Sequence, residues 1–127
     1  MDWANAAISL YDDLEADAIV IETNQGGDMC EQTLLNAGFN GRIIRVHAAK
    51  GKVARAEPVV ALYEQGLVHH DSGLHDLEEE MMDFEPVSGL AGGRSPNRVD
   101  AAVWALTELA ELNKPQSAVF MPSRYRR

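Results

Sequence analysis

The run AIVIETNQGGD, residues 18–28, carries an apolar stretch into an acidic side chain and then into glycines. If AIVIE is a strand, Glu22 stands at its carboxyl end, where ligands of open α/β sheets bind. A carboxylate there suits a metal ion or a polar substrate; capping a neighbouring helix or pairing with an arginine would also account for it. The glycines of NQGGD permit close backbone approach, and a helix start after them would offer N–H groups to an anion. The segment lacks the Lys-Ser/Thr of a P-loop and the spacing of a dinucleotide fingerprint. Asp100 lies in SPNRVDAA, in the first turn of a helix, where the helix dipole favours a carboxylate whatever its use. Asn97 and Arg98 accompany it beside a proline turn. A carboxylate from a strand end and another from a helix start can converge on divalent ions while nearby cations hold a phosphodiester. His69, His70, Asp71, His75 and Asp76 gather in VHHDSGLHD, but without metal-ligand spacing on a regular element.

These residues depend on the elements that carry them. Residues 3–15 place Trp3, Ala7, Leu10, Tyr11 and Leu14 at helical spacing, which predicts an amphipathic helix with an acidic outer face. AIVIE reads as a strand buried on both faces, as in parallel sheets. Residues 28–38 predict a helix with Asp28 as N-cap, Gly38 just past its end, and Met29, Cys30, Leu34 and Leu35 inward. RIIRVH, 42–47, predicts a second strand, so that 18–22 and 42–46 pair in parallel through a right-handed crossover. A helix from about Glu57 to Gly66 keeps Pro58 in its first turn. Residues 67–69 suggest a short strand, and LHDLEEEMMDF a helix with Leu74, Leu77, Met81 and Phe84 on one face and Glu78, Glu79 and Glu80 mostly outward. Residues 86–95 read as a mobile Gly-rich loop. The last helix has Ser95 as N-cap and Pro96 at its first position, and runs to about Leu112.

Bulk properties set limits. A chain of 127 residues, 46% hydrophobic and 24% charged, suits one domain with its own core. No stretch has the length of a membrane-spanning helix or the pattern of a leader, so a cytoplasmic location is expected. Cys30 is the single cysteine, which excludes an intrachain disulfide and reads as a small buried hydrophobe. The formal charge of −9 argues against a basic nucleic-acid surface. The positive charges are nevertheless clustered: Lys50, Lys52 and Arg55; Arg94 and Arg98; and Arg124, Arg126 and Arg127 in the tail.

The order of IVIETNQGGDM, GKVARAEPVVALYEQGLV, LHDLEEEMMDF and SPNRVDAAVWALTEL resembles the C-terminal nuclease domain of phage and prophage large terminases, from Trp3 to about Leu112. The resemblance implies an RNase H-like α/β fold with a short, mainly parallel sheet flanked by helices. It also implies Mg²⁺- or Mn²⁺-dependent cleavage of double-stranded DNA during genome packaging, in the cytoplasm of a bacterial host. Glu22 matches the acid after the family's central strand, and Asp100 the aspartate of its Pro-x-Arg-x-Asp-Ala segment. Both are therefore expected catalytic metal ligands. Lys52 and Arg55 match a basic pair before the middle helix, and with Arg98 they are expected to face substrate phosphate. Asn97 departs from the aspartate often found after that proline. The implied partners are double-stranded DNA, the terminase ATPase domain, the small terminase and the portal.

The family's opening β-meander, with its first catalytic aspartate, has no counterpart before Trp3. The expected organisation is thus a nuclease domain truncated at its N-terminus, 1–113, with a basic tail, 114–127. Weak cleavage by the chain alone follows, as does self-association through the sheet edge that the meander would cover. Two rivals stand beside this reading. One is a non-enzymatic α/β remnant or interaction module of the packaging complex, which the acidic composition favours. The other is a small-molecule enzyme using NQGGD as an anion site.

Overall fold

The computed structural model describes residues 2–23, 29–86 and 88–110. The NQGG segment, Asp28 as a cap and the basic tail lie outside the described residues, while the last helix, expected to run to about Leu112, ends at Leu109 with Ala110 as its C-cap. The chain divides into two compact units, Met1–Ala54 and Arg55–Arg127.

The first unit runs α1 (Trp3–Asp13), β1 (Ile19–Thr23), α2 (Met29–Asn36) and β2 (Ile43–His47). Asp2 caps α1 by accepting from the Asn5 N–H at 2.9 Å. β1 and β2 pair in parallel, Ile19 opposite Ile43 and Glu22 opposite Val46. The β-branched runs thus form the strands expected, each within a residue of its predicted bounds. Parallel strands need a long connection, and α2 lies within it. Beneath the sheet, Ala4, Ile21, Leu34 and Phe39 are buried, with Ile8, Tyr11 and Ile43 packed against them. The Tyr11 and Phe39 rings meet edge to face, centroids 4.9 Å apart.

Several inward expectations are corrected here. In α1 the inward stripe is Ala4, which is buried, with Ala7, Ile8 and Tyr11 partly buried, whereas Trp3, Leu10 and Leu14 are exposed. The sequence offers two apolar stripes on this helix, and the one rich in alanine permits closer packing on α2. In α2, Leu34 is fully buried while Met29 and Leu35 are exposed. Cys30 is exposed too, in the first turn of α2 one turn before Leu34. β1 is not buried on both faces: Ile21 is buried and Glu22 exposed.

Two helices end as their glycines suggest. Gly38 and Gly66 adopt positive φ, and the following residues donate back, Phe39 N to Leu34 O and Leu67 N to Leu62 O, both at 3.0 Å. These are Schellman ends, in which orphan carbonyls are satisfied by a left-handed turn. The same bonding closes α1, with Ala16 N donating to Tyr11 O at 2.9 Å, but the left-handed residue is Glu15, φ 50°. Only there does a residue with a side chain hold positive φ among the described residues.

The second unit contains α3 (Lys52–Glu64, its first turn reaching back into the first unit), α4 (His75–Asp83), β3 (Phe84–Glu85), β4 (Leu90–Ala91) and α5 (Asn97–Leu109). Ala56 and Val59 of α3 bury against Val99 and Val103 of α5, with Leu77 and Met81 of α4 alongside. α3 starts at Lys52, five residues before the predicted start, so Pro58 lies inside the helix. That costs a hydrogen bond to the Ala54 carbonyl and a ring clash, about 3 kcal/mol in a helix interior. Burial of Ala56 and Val59 on either side of the proline offsets it.

Residues 67–69 form no strand. Phe84, expected in the helix, instead begins β3, which pairs antiparallel with β4 inside the Gly-rich segment, Phe84 opposite Ala91. Beyond it, Ala91 and Arg94 exchange backbone bonds of 2.9 and 3.0 Å around Gly92 and Gly93, both of positive φ. That turn needs two left-handed residues, which is why glycines occupy it. Pro96 caps α5 without a side-chain bond, and Ser95 instead donates to the Asn97 side chain at 3.1 Å.

Two substitutions test this account by urea unfolding. Leu34→Ala is expected to cost about 2–5 kcal/mol, as for buried leucines generally. Glu15→Gly is expected to stabilise by up to about 1 kcal/mol by relieving the left-handed side chain. Destabilisation by Glu15→Gly would show that the Glu15 side chain contributes more than its strain costs.

Candidate functional site

Glu22 belongs to the first unit. It is exposed at the carboxyl end of β1, where two bonds tie that end to β2. The Thr23 hydroxyl donates to the Val46 carbonyl at 3.2 Å, and His47 Nδ1 approaches the Thr23 carbonyl at 3.0 Å. A carbonyl only accepts, so Nδ1 carries the proton there. Further along β2, Arg45 binds the Glu31 carboxylate of α2 through both Nε and Nη2. The bonds at Thr23 therefore tie the strand end that carries Glu22 to β2.

Asp100 belongs to the second unit, in the first turn of α5. The structure brings it together with Arg55 of α3, whose Nη2 donates to Asp100 Oδ1 at 3.1 Å. The Arg55 side chain is only 10% exposed and that of Asp100 21%. The guanidinium also lies over the Trp104 ring, 4.9 Å from its centroid, an arrangement attractive through the ring quadrupole. Trp104 follows Asp100 by four residues, one helical turn, so a single face of α5 presents both partners to Arg55. The sequence contained this signal, since an acid and an aromatic at i and i+4 can hold one arginine.

Glu80 is the residue that sequence reasoning placed wrongly. Its carboxylate turns inward, only 14% exposed, and accepts from the Val99 N–H at 2.8 Å. Val99 is the third residue of α5, where a backbone N–H has no partner within the helix. Glu80 thus caps α5 from another helix, in place of the expected Ser95. Concealed in the run EEE, it differs from Glu78 and Glu79 only in facing α5.

Arg98 is exposed, its guanidinium 3.7 Å from Glu80 and 3.9 Å from Asp76. It helps line an open concavity of about 540 Å³ with Asp76, Glu80, Asp83, Arg94 and Asn97. Lys52 is partly buried in the first turn of α3.

Among the histidines, His70 has a specific role. Its Nδ1 is 2.9 Å from Glu78 and its Nε2 2.6 Å from the Tyr63 hydroxyl. In the neutral ring, Nδ1 donates to the carboxylate and Nε2 accepts from the tyrosine. Burial, and then the Glu78 charge, push the Tyr63 hydroxyl above its ordinary pKa.

Both candidate acids are hard oxygen donors within reach of solvent. Mg²⁺ and Mn²⁺ take such donors, Mg²⁺ in particular keeping several waters and using one or two carboxylates. Glu22 and Asp100 fit an ion of that kind by donor chemistry. Among the described residues, no three His, Cys, Asp or Glu side chains gather in a group that could hold a cation.

Removing the inward carboxylate should be felt where removing its neighbour is not. Glu80→Ala is expected to cost about 1–2 kcal/mol in thermal or urea unfolding, as for loss of a helix cap, whereas Glu79→Ala should change little. Equal effects would contradict the capping role. The raised Tyr63 pKa favours the protonated hydroxyl in the folded state. Its contribution is therefore complete below pH 10 and is lost as pH rises through the folded-state value. Tyr63→Phe should flatten the alkaline decline in stability; an unchanged decline would assign it to other groups.

No helix among the described residues is long and apolar enough to cross a membrane. No curated protein and no solved structure was found to match the chain. A family model described as the terminase RNaseH-like domain matches residues 2–109. RNase H-like nucleases generally use divalent metals, and terminases act with DNA and a packaging complex. The parallel β1–β2 pair, the surrounding helices and this match over most of the sequence lead to one conclusion: the chain belongs to the terminase RNase H-like domain family.

Proposed function

We propose that this chain is the nuclease part of a phage large terminase, cleaving double-stranded DNA in a metal-dependent reaction during genome packaging in the host cytoplasm. The observation that carries this reading is family membership over residues 2–109; the resemblance of the motifs around Glu22 and Asp100 supports those two acids as its site. Glu22 and Asp100 are each proposed as ligands of Mg²⁺ or Mn²⁺. Such ions, when bound, activate water and stabilise the leaving oxygen of a phosphodiester. The chain's own part is to hold the carboxylates still and meet the substrate's charge. Thr23 and His47 steady the strand end beside Glu22, and Glu80 secures the turn of α5 that carries Asp100. Lys52, Arg55 and Arg98 are proposed to face substrate phosphate, which the overall charge of −9 makes locally necessary. The proposed partners are DNA, the terminase ATPase domain, the small terminase and the portal.

A second reading, an interaction module without catalysis, is favoured by one observation. Ala7, Leu10, Tyr11, Leu14 and Ile19 line an apolar groove of about 240 Å³ beside β1. Among the described residues β1 has a single strand neighbour, which leaves an edge open to pairing. Self-association through that edge is expected on either reading. Sedimentation velocity should show dimers or larger species that Leu10→Lys disperses; a monomer over a wide concentration range would remove this expectation.

Plasmid nicking separates the two readings. Slow nicking is expected with Mn²⁺ or Mg²⁺ and not with EDTA. It should fall at least ~100-fold in Glu22→Gln and Asp100→Asn, since even an outer-shell partner of a metal typically contributes 10–100-fold. Undiminished cleavage in both variants would overturn the assignment of the ligands. Absence of metal-dependent nicking would leave the interaction module as the better reading.

A further inference from the structure

We infer that Arg55 is a resident counter-ion of Asp100, one that competes with a divalent cation for the same carboxylate. This rests on Asp100 being a metal ligand, and its test distinguishes failure of either statement. The observations lie within the second unit: a guanidinium 10% exposed, an aspartate oxygen 3.1 Å from it, and an indole ring 4.9 Å from its centre. A cation so far withdrawn from water requires an anion, because an uncompensated charge in that setting costs far more than the pair gains. Asp100 supplies the anion and Trp104 fixes the position of the guanidinium.

The same geometry sets a condition on Asp100. An ion bound to its carboxylate would lie within a few ångströms of a fixed positive charge. Arg55 must yield at least part of its hold on Oδ1 before the carboxylate can serve an ion. Once released, the guanidinium is a charged fork suited to a phosphate. Loading of Asp100 and availability of Arg55 to substrate are thereby linked, and each should promote the other. Until an ion binds, Arg55 holds the Asp100 carboxylate in place through Oδ1.

The consequence runs against the usual effect of removing an ion-pair partner: loss of Arg55 should improve cation binding. Mn²⁺ affinity is measured by electron paramagnetic resonance of the free ion, on the full chain and on Arg55→Met, Arg55→Lys and Asp100→Asn. Arg55→Met is expected to bind Mn²⁺ at least ~5-fold more tightly. Repulsion between like unit charges about 4 Å apart amounts to that factor even at the dielectric of bulk water. Arg55→Lys, which retains the charge, should remain within about twofold of the unaltered chain, and Asp100→Asn should lose most of the binding.

Unchanged or weaker binding in Arg55→Met, with loss in Asp100→Asn, overturns the competition and leaves the metal reading intact. Unchanged binding in Asp100→Asn overturns the metal reading itself. A second measurement needs no change at Arg55, should Arg55→Met fail to fold. In Trp3→Phe, Trp104 is the only tryptophan, and its emission reports the overlying guanidinium. Mg²⁺ titration is expected to shift that emission along the binding curve. A constant emission at saturating Mg²⁺ would mean that Arg55 does not yield, and the inference falls.

Discussion

Arg55 imposes the central constraint on the second unit. Its guanidinium is withdrawn from water against Trp104, so the fold must supply a carboxylate beside it, and Asp100 is that carboxylate. The requirement fixes the rotation of α5 about its axis, because Asp100 and Trp104 lie one turn apart and both address the same side chain. That rotation directs Val99 and Val103 onto Ala56 and Val59. It also presents the Val99 N–H to Glu80, so that α4 is tied to α5 by a charge-assisted bond as well as by Leu77 and Met81. The acid read from sequence as a catalytic candidate is thus also a structural element. Its truncation to alanine would remove the carboxylate and its bond to Arg55 together with the side chain's volume, which makes asparagine the more informative replacement.

The first unit depends on a different economy of residues. Leu34 and Ala4, both fully buried, bring α2 and α1 close beneath the sheet, and Phe39 closes the end through its contact with Tyr11. Small size at position 4 is what allows the approach. A strand whose apolar residues lead into Glu22 then delivers one acidic side chain to the carboxyl end of the parallel pair. The position follows from the sequence pattern alone, and the bonds from Thr23 and His47 give it rigidity.

What could be read in the sequence was that which local chemistry decides. The runs AIVIE and RIIRV could form little other than strands, and the length between them required a crossover connection. Gly38 and Gly66 marked helix ends because left-handed backbone favours glycine. What escaped was decided by packing between elements. α1 offers a bulky stripe through Trp3, Leu10 and Leu14 and a small one through Ala4 and Ala7, and only the partner helix selects between them. Pro58 argued for a late start to α3, yet the burial of its neighbours carries the helix through it. β3 and β4, two residues each, are too short for alternation to register. At the candidate site, Glu22 and Asp100 were legible by their places at a strand end and a helix start. Glu80 was not, since nothing in EEE marks which glutamate faces another helix's amino end.

The most direct test of this account is to find where a divalent ion binds. Paramagnetic broadening by substoichiometric Mn²⁺ in the ¹⁵N-labelled chain reports proximity residue by residue and is independent of catalysis. If Glu22 and Asp100 are each ligands of such ions, the amide signals of residues 21–23 and 98–101 should broaden first, and Ca²⁺ or Mg²⁺ in excess should restore them. Broadening centred on residues 69–76 or 76–83, with the signals around Glu22 and Asp100 unaffected, would contradict it.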